Sequence, residues 1–354
     1  MPSSDLRLHV ETDSAAVAAR LAALPRDLVR GVFQRPEWIA AWLAAHAATP
    51  LRLALVTVTR VGDGAVRLVL PLMLERRHGT ACWTALDDGV SDYNAPLFAP
   101  DFAPSAAVAA RLWARIVEAL PVGDLLLLEK MPAVVEGHRN PLIDLDGRLA
   151  SRFRRHPLPL GGDLEAVRRR FHGHAALARK RRKLGRRGRV DFEVLAGAEA
   201  LPVLERLMRW RDRRYDGRAT TDALYRRLLL DGQLGRVGVL RLDGAPIAGT
   251  FGIVDGDALR LLVLAFDEAF AAWSPGRLVI DDMIAWAVEA RFGEFDFTIG
   301  SEAYKFDFGV ESEPLWEIRA PLRWRGAMRL HLMDARRTAA GLVRRALPAL
   351  ARGD

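Results

Sequence analysis

The chain has 354 residues, of which 50% are hydrophobic, and its single cysteine is Cys82. This length and apolar content suffice for a large core and are more typical of two domains than of one. A lone cysteine excludes a disulfide framework and a cysteine-based zinc site, as expected in a reducing compartment. Neither a leader peptide nor a long uncharged apolar stretch is visible, so we expect a cytoplasmic protein, with peripheral attachment to the inner membrane face left open.

The net charge of +8 is concentrated in two places. Residues 168–189 hold eleven Lys or Arg and no acid, and from Arg319 onward nine Arg face two Asp. Such clusters bind nucleic acid, polyphosphate or anionic lipid, although a solvated helix surface is an equal interpretation of the first cluster. His172 and His174 lack the spacing and the further ligands of a zinc site, so we expect no metal.

Strand and helix patterns alternate along the chain, which predicts the α/β (α+β) class. In the first half, Gly62-Asp63-Gly64 joins two apolar runs as a hairpin, and a third strand leads into the polar loop 87–94. The predicted elements of this half are strand 6–10, helices 15–24 and from 36, strands 51–59, 66–74 and 81–86, helix 105–120 and strand 124–128.

The second half repeats this order of hairpins, helix and strand. Its predicted elements are strands 234–242, 247–254 and 258–266, helix 275–290, and strands 295–299 and 316–321. Pro and Gly cluster at 145–162 and indicate the boundary. The sequence therefore predicts two copies of one fold. The first domain covers 1–150, and the second covers 151–325 with a basic helical insertion at 163–189. A basic amphipathic helix follows at 326–354.

A potential anion site lies where the strand ending at Phe266 leads through Ser274-Pro275-Gly276 into a helix. The unpaired N–H groups and the dipole of a helix N-terminus bind phosphates. The alternative needs no ligand, because Ser274 can cap the helix and Pro275 can occupy its first turn.

Two polar segments carry further candidate chemistry. In Gly300-Ser301-Glu302-Ala303-Tyr304-Lys305, Glu302 is a candidate base, Tyr304 a proton donor and Lys305 a charge that stabilises an oxyanion or phosphate. The segment Ser91-Asp92-Tyr93-Asn94 is either a turn that closes a strand or a loop that faces a substrate. A solvated turn remains the alternative for the first segment.

The order of these motifs resembles the CelD/BcsL-type branch of the GNAT acyltransferases, relatives of the FemAB/FemX aminoacyl transferases. The matching segments run along nearly the whole chain: Phe33-Gln34-Arg35-Pro36-Glu37-Trp38, Pro71-Leu72, Ser91-Asp92-Tyr93, residues 181–194, Asp243-Gly244-Ala245-Pro246-Ile247-Ala248, Ser274-Pro275-Gly276, Asp296-Phe297, Gly300 to Lys305, and Lys305-Phe306-Asp307-Phe308-Gly309. The Gln/Arg-x-x-Gly-x-Gly/Ala loop of ordinary GNAT enzymes is absent, as is usual for this branch.

The resemblance implies tandem GNAT-like domains, each a mixed, mostly antiparallel sheet flanked by helices, with acetyl-CoA or another acyl-CoA bound by the second. Lys305 would lie near the reacting carbonyl, with Tyr304, Glu302 and Asp92 as further catalytic candidates. Tyr93, Asn94 and Gly300 would contact the acceptor. The residues implied in donor binding are Leu264, Ala265 and Phe266 for the pantetheine arm and Ser274, Gly276 and Arg277 for the pyrophosphate.

The branch is associated with exopolysaccharide, cellulose and holdfast production, which implies an amino sugar or lipid-linked saccharide as acceptor and N-acyl transfer as the reaction. An aminoacyl-tRNA donor is the alternative, and the basic segment would suit it. A third hypothesis is a degenerate scaffold that binds anionic lipid or a cyclic dinucleotide. For the C-terminal helix, packing on the core, a membrane surface and a nucleotide regulator all remain open.

Overall fold

A computed structural model describes residues 5–145, 148–213 and 218–350. Its helices are α1 (Ser14–Ala22), α2 (Pro36–Ala45), α3 (Ala106–Ala119), α4 (Leu164–Arg168), α5 (His174–Gly185), α6 (Leu201–Asp212), α7 (Ala219–Leu230), α8 (Pro275–Glu289), α9 (Ala303–Phe306) and α10 (Trp324–Leu350). Its strands are β1 (Leu6–Glu11), β2 (Leu53–Arg60), β3 (Val66–Arg77), β4 (Thr80–Ala85), β5 (Leu97–Phe98), β6 (Leu125–Met131), β7 (Val134–Val135), β8 (His138–Arg139), β9 (Leu149–Arg155), β10 (Pro157–Pro159), β11 (Val190–Leu195), β12 (Gly235–Leu242), β13 (Ala245–Asp255), β14 (Ala258–Phe266), β15 (Glu294–Asp296) and β16 (Glu313–Pro321).

The chain divides into two compact units that are not continuous in sequence. Unit 1 comprises Met1–Arg30, Pro50–Ala150 and Trp316–Asp354. Unit 2 comprises Gly31–Thr49 and Ser151–Leu315. Helix α2 therefore belongs with the second half of the sequence, and α10 belongs with the first. The last four residues of the predicted tail 326–354 lie outside the described residues.

Unit 1 is built on a sheet with the strand order β1-β2-β3-β4-β6-β16-β9, in which β5 pairs with β3. Most of its pairs are antiparallel, and β4 and β6 are parallel. The apolar side chains of β2 and β3 are buried almost without interruption. Helix α10 packs on this sheet through Leu330, which lies against Cys82, Leu125 and Leu127.

Unit 2 has the strand order β10-β15-β14-β13-β12-β11. Its pairs are antiparallel apart from the parallel pair β14 and β15, which α8 connects. Helices cover both faces, as the alternation along β13 shows: Gly249 faces Leu207 of α6, whereas Thr250 lies on the same side as Met283 of α8. Helix α8 is accordingly apolar on most of its surface, since it is buried along most of its length.

These observations confirm the predicted α/β class with mixed, mostly antiparallel sheets flanked by helices. The hairpins at Gly62-Asp63-Gly64 and Asp255-Gly256-Asp257 are present. The strand predicted over 295–299 ends earlier, at Asp296, because Thr298 adopts a left-handed backbone conformation with φ of 58°. Among the described residues, no helix is long and apolar enough to cross a membrane.

Candidate functional site

The parallel strands of unit 2 separate shortly after they pair. Strand β14 pairs with β15 only from Ala258 to Arg260, opposite Glu294 to Asp296, and then continues to Phe266 beside β13. The register of β13 and β14 shifts at Leu262, which marks a bulge, and bulges bend a strand away from its neighbours. Between Leu262 and Ala265, β14 has no pairing with β15 among the described residues, so an extended ligand could pair with the strand there.

Thr298 closes the narrow end of the gap between β14 and β15. Its hydroxyl donates to the carbonyl oxygen of Leu261 over 3.0 Å, and its backbone N–H donates to the Asp296 carboxylate over 2.8 Å. The left-handed conformation of Thr298 turns the chain away from β14 at this point. The gap between the strands therefore begins beyond Leu261. The part of β14 that follows holds Leu264, Ala265 and Phe266, the residues that the family resemblance implies for the pantetheine arm.

Helix α8 begins beside the end of β14. A Cβ atom at Gly276 would lie 3.1 Å from the Phe266 ring, so the absence of a side chain lets the helix start approach the strand closely. Ser274 precedes the helix in a left-handed conformation, with φ of 54°, and its side chain makes no capping hydrogen bond to the helix. The predicted alternative is confirmed in part, because Ser274 is the N-cap residue and Pro275 occupies the first turn, but the Ser274 side chain does not cap α8. In the first turn Pro275 has no N–H and the Arg277 N–H donates to the Ser274 carbonyl oxygen over 3.0 Å, so the Gly276 N–H is the group for which the helix has no acceptor.

Lys180 of the basic segment reaches this helix start. Its ammonium donates to the Ser274 hydroxyl over 2.6 Å, so a cation is held directly at the N-terminus of α8. Arg277 in the first turn forms an ion pair with Asp307. Two cations and a helix dipole thus converge on one small region, against one carboxylate, which favours an anion.

Lys180, Ser274 and Arg277 form one wall of a cavity of about 300 Å³ within unit 2. Its apolar floor includes Phe171 and Phe308, whose ring centroids lie 5.0 Å apart in edge-to-face contact. The residues that line it are Phe171, His172, Gly173, His174, Ala176, Leu177, Lys180, Ser274, Arg277, Asp307 and Phe308. The cavity combines an apolar surface with a cationic rim, as a phosphate-bearing organic ligand requires.

The basic helix α5 is fixed in place by its own charges. Arg181 of α5 pairs with Asp282, and Arg168, the last residue of α4, makes a two-pronged ion pair with Asp281 at 2.9 and 3.0 Å. Burial raises the pKa of Asp282. Leu184 is fully buried against α8 and the sheet. Part of the basic segment is thus a docking surface within unit 2, and Lys180 is the member that lines the cavity.

Lys305 is buried, with 3% of its surface exposed. Its ammonium donates to the carbonyl oxygens of Phe297 at 2.9 Å, Ile299 at 2.5 Å and Gly300 at 3.3 Å, and lies 3.0 Å from the Glu302 carboxylate. An ammonium has three protons, so these acceptors already use its capacity. The geometry favours a positioning role for Lys305 in the loop after β15, and its predicted catalytic role stays a prediction.

The neighbouring candidates surround Lys305. Glu302 is exposed, and Gly300 has φ of 100°, with Glu302 so close that a Cβ atom at Gly300 would lie 2.6 Å from its carboxylate. Tyr304 is half-buried and packs near Phe297, with ring centroids 6.4 Å apart. The structure therefore brings Glu302, Tyr304 and Lys305 together, and their catalytic assignment stays a prediction.

The acceptor candidates Asp92, Tyr93 and Asn94 belong to unit 1. Asn94 is buried and donates to the Asp87 carboxylate over 3.0 Å, while Lys130 donates to the same carboxylate over 2.8 Å. Tyr93 is buried and Asp92 is half-buried. Asn94 thus has a structural function in the polar loop 87–94, and the acceptor assignment of all three residues stays a prediction.

Sequence reasoning missed Lys180, Phe171 and Phe308 as parts of the cavity. The sequence leaves open whether the basic segment binds an anionic partner or is a solvated helix surface, because a run of charges does not show which cation contacts a residue 94 positions later. Cys82 is buried, and burial raises its pKa to about 11, which keeps the thiol protonated at neutral pH and does not favour a nucleophilic role.

The class of the second unit is indicated by a family comparison. Residues 172–306, which include the separated strands, α8 and most of the cavity lining, match the family model of the Acetyltransferase (GNAT) domain. The fold and this match together define a GNAT-type acyltransferase fold. No curated protein matches the chain significantly.

Solved structures show the same fold over most of the chain at low sequence identity. FemX has a TM-score of 0.56 and 13% identity, over 88% of this chain and 96% of that chain. The C-terminal DUF2156 domain of a putative lysylphosphatidylglycerol synthetase from Agrobacterium fabrum has a TM-score of 0.54 and 14% identity, over 91% and 96%. A conserved protein of unknown function from Bacteroides thetaiotaomicron has a TM-score of 0.54 and 12% identity, over 90% and 100%.

Proposed function

We propose that the protein is an acyl-CoA-dependent N-acyltransferase whose donor binds in unit 2. The observation that carries the proposal is the arrangement of Lys180 and the first turn of α8 beside the open end of β14. A phosphate group at the helix start would accept a hydrogen bond from the Gly276 N–H and would lie beside two cations, Lys180 and Arg277. The GNAT domain match over residues 172–306 supports an acyl-CoA donor.

The edge of β14 beyond its pairing with β15 is the proposed binding surface for the pantetheine arm of the donor. A pantetheine arm carries amide groups that can pair with an exposed strand edge as a further strand would. Beyond Leu261 that edge has no pairing with β15 in the described part of the chain, which leaves Leu264 and Ala265 for the arm, and Phe266 would contact it at the helix start. The length of β14 past Arg260 therefore serves as the binding surface for the arm, and its thioester would lie near the bulge.

The transfer step follows from this placement. An acceptor amine attacks the thioester carbonyl carbon, so a C–N bond forms, the C–S bond breaks, and the thiol leaves with a proton while the amine loses one. Backbone N–H groups of β14 near the bulge would stabilise the oxyanion. Glu302, which is exposed, would take the proton directly or through a water, and Lys305 would hold the loop that carries Glu302.

We propose an amino sugar or a lipid-linked saccharide as the acceptor, as in exopolysaccharide, cellulose or holdfast biosynthesis. This part rests on the CelD/BcsL-type resemblance of the sequence and on the polar loop 87–94 of unit 1. The acceptor roles of Asp92 and Tyr93 stay predictions from the sequence, and N-acetylation is the proposed reaction.

Calorimetry with acetyl-CoA and acetyl-pantetheine tests the donor assignment. Acetyl-CoA is expected to bind and to raise the melting temperature, because a ligand that binds only the folded state stabilises it. Acetyl-pantetheine lacks the pyrophosphate and is expected to bind more weakly by at least about tenfold, since it loses the charged contacts at α8. Failure of acetyl-CoA to bind would overturn the proposal, and equal binding of both compounds would overturn the pyrophosphate assignment.

A second candidate donor is an aminoacyl-tRNA. It is favoured by the exposed cations on the outer side of α5 and just after it, beside the cavity: Arg179, Arg182, Lys183, Arg186 and Arg189. Nucleic-acid binding through such residues weakens steeply with salt. Filter binding of aminoacyl-tRNA at rising salt tests this candidate, and the absence of binding at low salt excludes it.

A further inference from the structure

The outer face of helix α10 carries large apolar side chains in contact with solvent. Trp324 is 69% exposed, Met328 is 52% exposed and Leu332 is 51% exposed. These residues are spaced four apart, so they form one continuous stripe along the helix. A single exposed apolar residue is ordinary, but three large ones in a row need an explanation.

The opposite face of α10 is held on unit 1, which fixes the direction in which the stripe points. Leu330 packs on the cluster around Cys82, and Gly326 is buried so close to the Asp124 carbonyl that a side chain there would overlap it. Arg319 donates to Asp334 over 2.7 Å and secures the next turn of the helix. Packing on the core, predicted as one function of this helix, therefore uses the inner face and leaves the outer face uncovered.

Arginines border the stripe on one side. At about 100° per residue, Trp324, Met328 and Leu332 cover about 80° of the helix circumference, and Arg325, Arg329 and Arg336 follow within about the next 60°. Arg325 and Arg336 are exposed and Arg329 is half-exposed. The Arg325 guanidinium lies over the Trp324 ring, 5.5 Å from its centroid, so the cation and the aromatic side chain form one surface.

The acidic groups of this part of α10 do not offset these charges. Between residues 323 and 339 the one acid is Asp334, and it is already paired with Arg319. Arg337, which turns inward, pairs with Glu317 at 2.7 Å. The outer face is therefore apolar along its centre and cationic along its border.

We propose that the stripe Trp324-Met328-Leu332 docks the protein on an anionic lipid surface, with α10 lying in the plane of the interface. The apolar side chains would enter the boundary between headgroups and acyl chains, where a tryptophan is especially stable. The bordering arginines would contact lipid phosphates, each adding electrostatic attraction. A membrane is chosen over a protein partner because the cations along the border of the stripe complement the phosphates of an anionic lipid surface.

Flotation of the full-length protein with lipid vesicles tests the proposal. Vesicles of phosphatidylcholine mixed with phosphatidylglycerol are compared with vesicles of phosphatidylcholine alone, each at low and high NaCl. The expected result is binding to the anionic vesicles that weakens with salt, and little binding to the neutral ones. Absence of binding to the anionic vesicles at low salt would overturn the proposal.

Two triple variants separate the stripe from general surface hydrophobicity. Trp324→Ser, Met328→Ser and Leu332→Ser together are expected to lower vesicle affinity by at least about tenfold, since most of the inserted apolar area is removed. The control replaces Val61, Val134 and Leu230, which are 50%, 54% and 54% exposed elsewhere, with Ser. Equal vesicle binding by the two triple variants would contradict the assignment of the stripe.

Light scattering after size-exclusion chromatography tests the alternative that the stripe binds a second copy of this chain. If the protein is a dimer that the stripe variant dissociates, and vesicles do not bind it, the stripe is a self-association surface and the proposal is wrong. All substituted side chains of the stripe are exposed, so the melting temperature is expected to stay unchanged and serves as the control for folding.

Discussion

The Lys180 ammonium lies 2.6 Å from the Ser274 hydroxyl, which joins the basic helix α5 to the residue that precedes α8. The Ser274 side chain accepts from Lys180 and makes no capping bond to α8, and the Gly276 N–H of the first turn is left for a ligand. In the proposed function this pair forms the anion-binding end of the donor site. Both residues lie in unit 2 and line the same cavity.

Substitution of Lys180 is therefore expected to weaken donor binding without loss of the fold. Lys180→Ala should raise the Kd for acetyl-CoA by about tenfold, because one charged contact to a phosphate is lost. Arg182→Ala, two residues away on the exposed side of α5, serves as the matched control and should leave the Kd nearly unchanged. Calorimetry measures both, and equal Kd values for the two variants would count against the cavity as the donor site.

Substitution of Lys305 separates positioning from catalysis. Lys305→Met leaves the carbonyl groups of Phe297, Ile299 and Gly300 without a donor, which should lower the free energy of unfolding by about 2–5 kcal/mol. Chemical denaturation measures the loss. A variant with unchanged stability and no turnover would instead show that Lys305 acts in the transfer step alone.

His156 makes stability depend on pH. Its Nδ1 lies 3.0 Å from the Thr298 carbonyl oxygen, and burial lowers its pKa below the ordinary value of 6.5. The unfolded chain therefore binds a proton more readily than the folded one, so this contribution to stability is present above pH 6.5 and is lost as the pH falls below it.

The His156→Asn variant is expected to flatten this dependence, because an amide can still donate to Thr298 but does not titrate. Melting temperatures between about pH 7 and pH 5 test the effect. His331→Asn, at an exposed histidine, is the control and should keep the slope of the unmodified protein. The same slope in His156→Asn as in the unmodified protein would contradict the account.

Asp255 holds α2 to unit 2 through its charge. Its side chain is fully buried between Arg35, which directly precedes α2, and Arg260 of β14, whose guanidinium lies 2.9 Å away. Asp255→Ala should cost about 3–5 kcal/mol of stability, because it leaves two arginines without their shared anion. Urea unfolding measures the loss. Asp63→Ala, which breaks an exposed ion pair with Arg60, is the control and should have little effect.

Local patterns predicted most strands and helices of the fold, because apolar runs between Gly-rich turns are properties of adjacent residues. The predicted hairpins and the helix after Ser274 are examples. Strand β10 was not predicted, since Pro157 and Pro159 indicated a boundary. The structure tolerates both because β10 is the edge of its sheet, where a missing N–H breaks no pairing.

The candidate site was only partly predictable, because it depends on contacts between distant segments. The helix start at Ser274-Pro275-Gly276 follows from local sequence, but the approach of Lys180 does not. Lys305 shows the converse limit: its type and position suggested chemistry, whereas its burial under three carbonyl groups depends on the turn at Thr298 and Gly300. A charged residue in a motif does not reveal whether neighbouring groups already occupy its hydrogen-bonding capacity.

A crystal structure of the protein with acetyl-CoA tests the central claim most directly. The account predicts a pyrophosphate oxygen within hydrogen-bond distance of Lys180 Nζ and of a backbone N–H in the first turn of α8, with the pantetheine arm along Leu264, Ala265 and Phe266. Acetyl-CoA bound elsewhere on the chain, with the cavity between α5 and α8 free of phosphate, would contradict it.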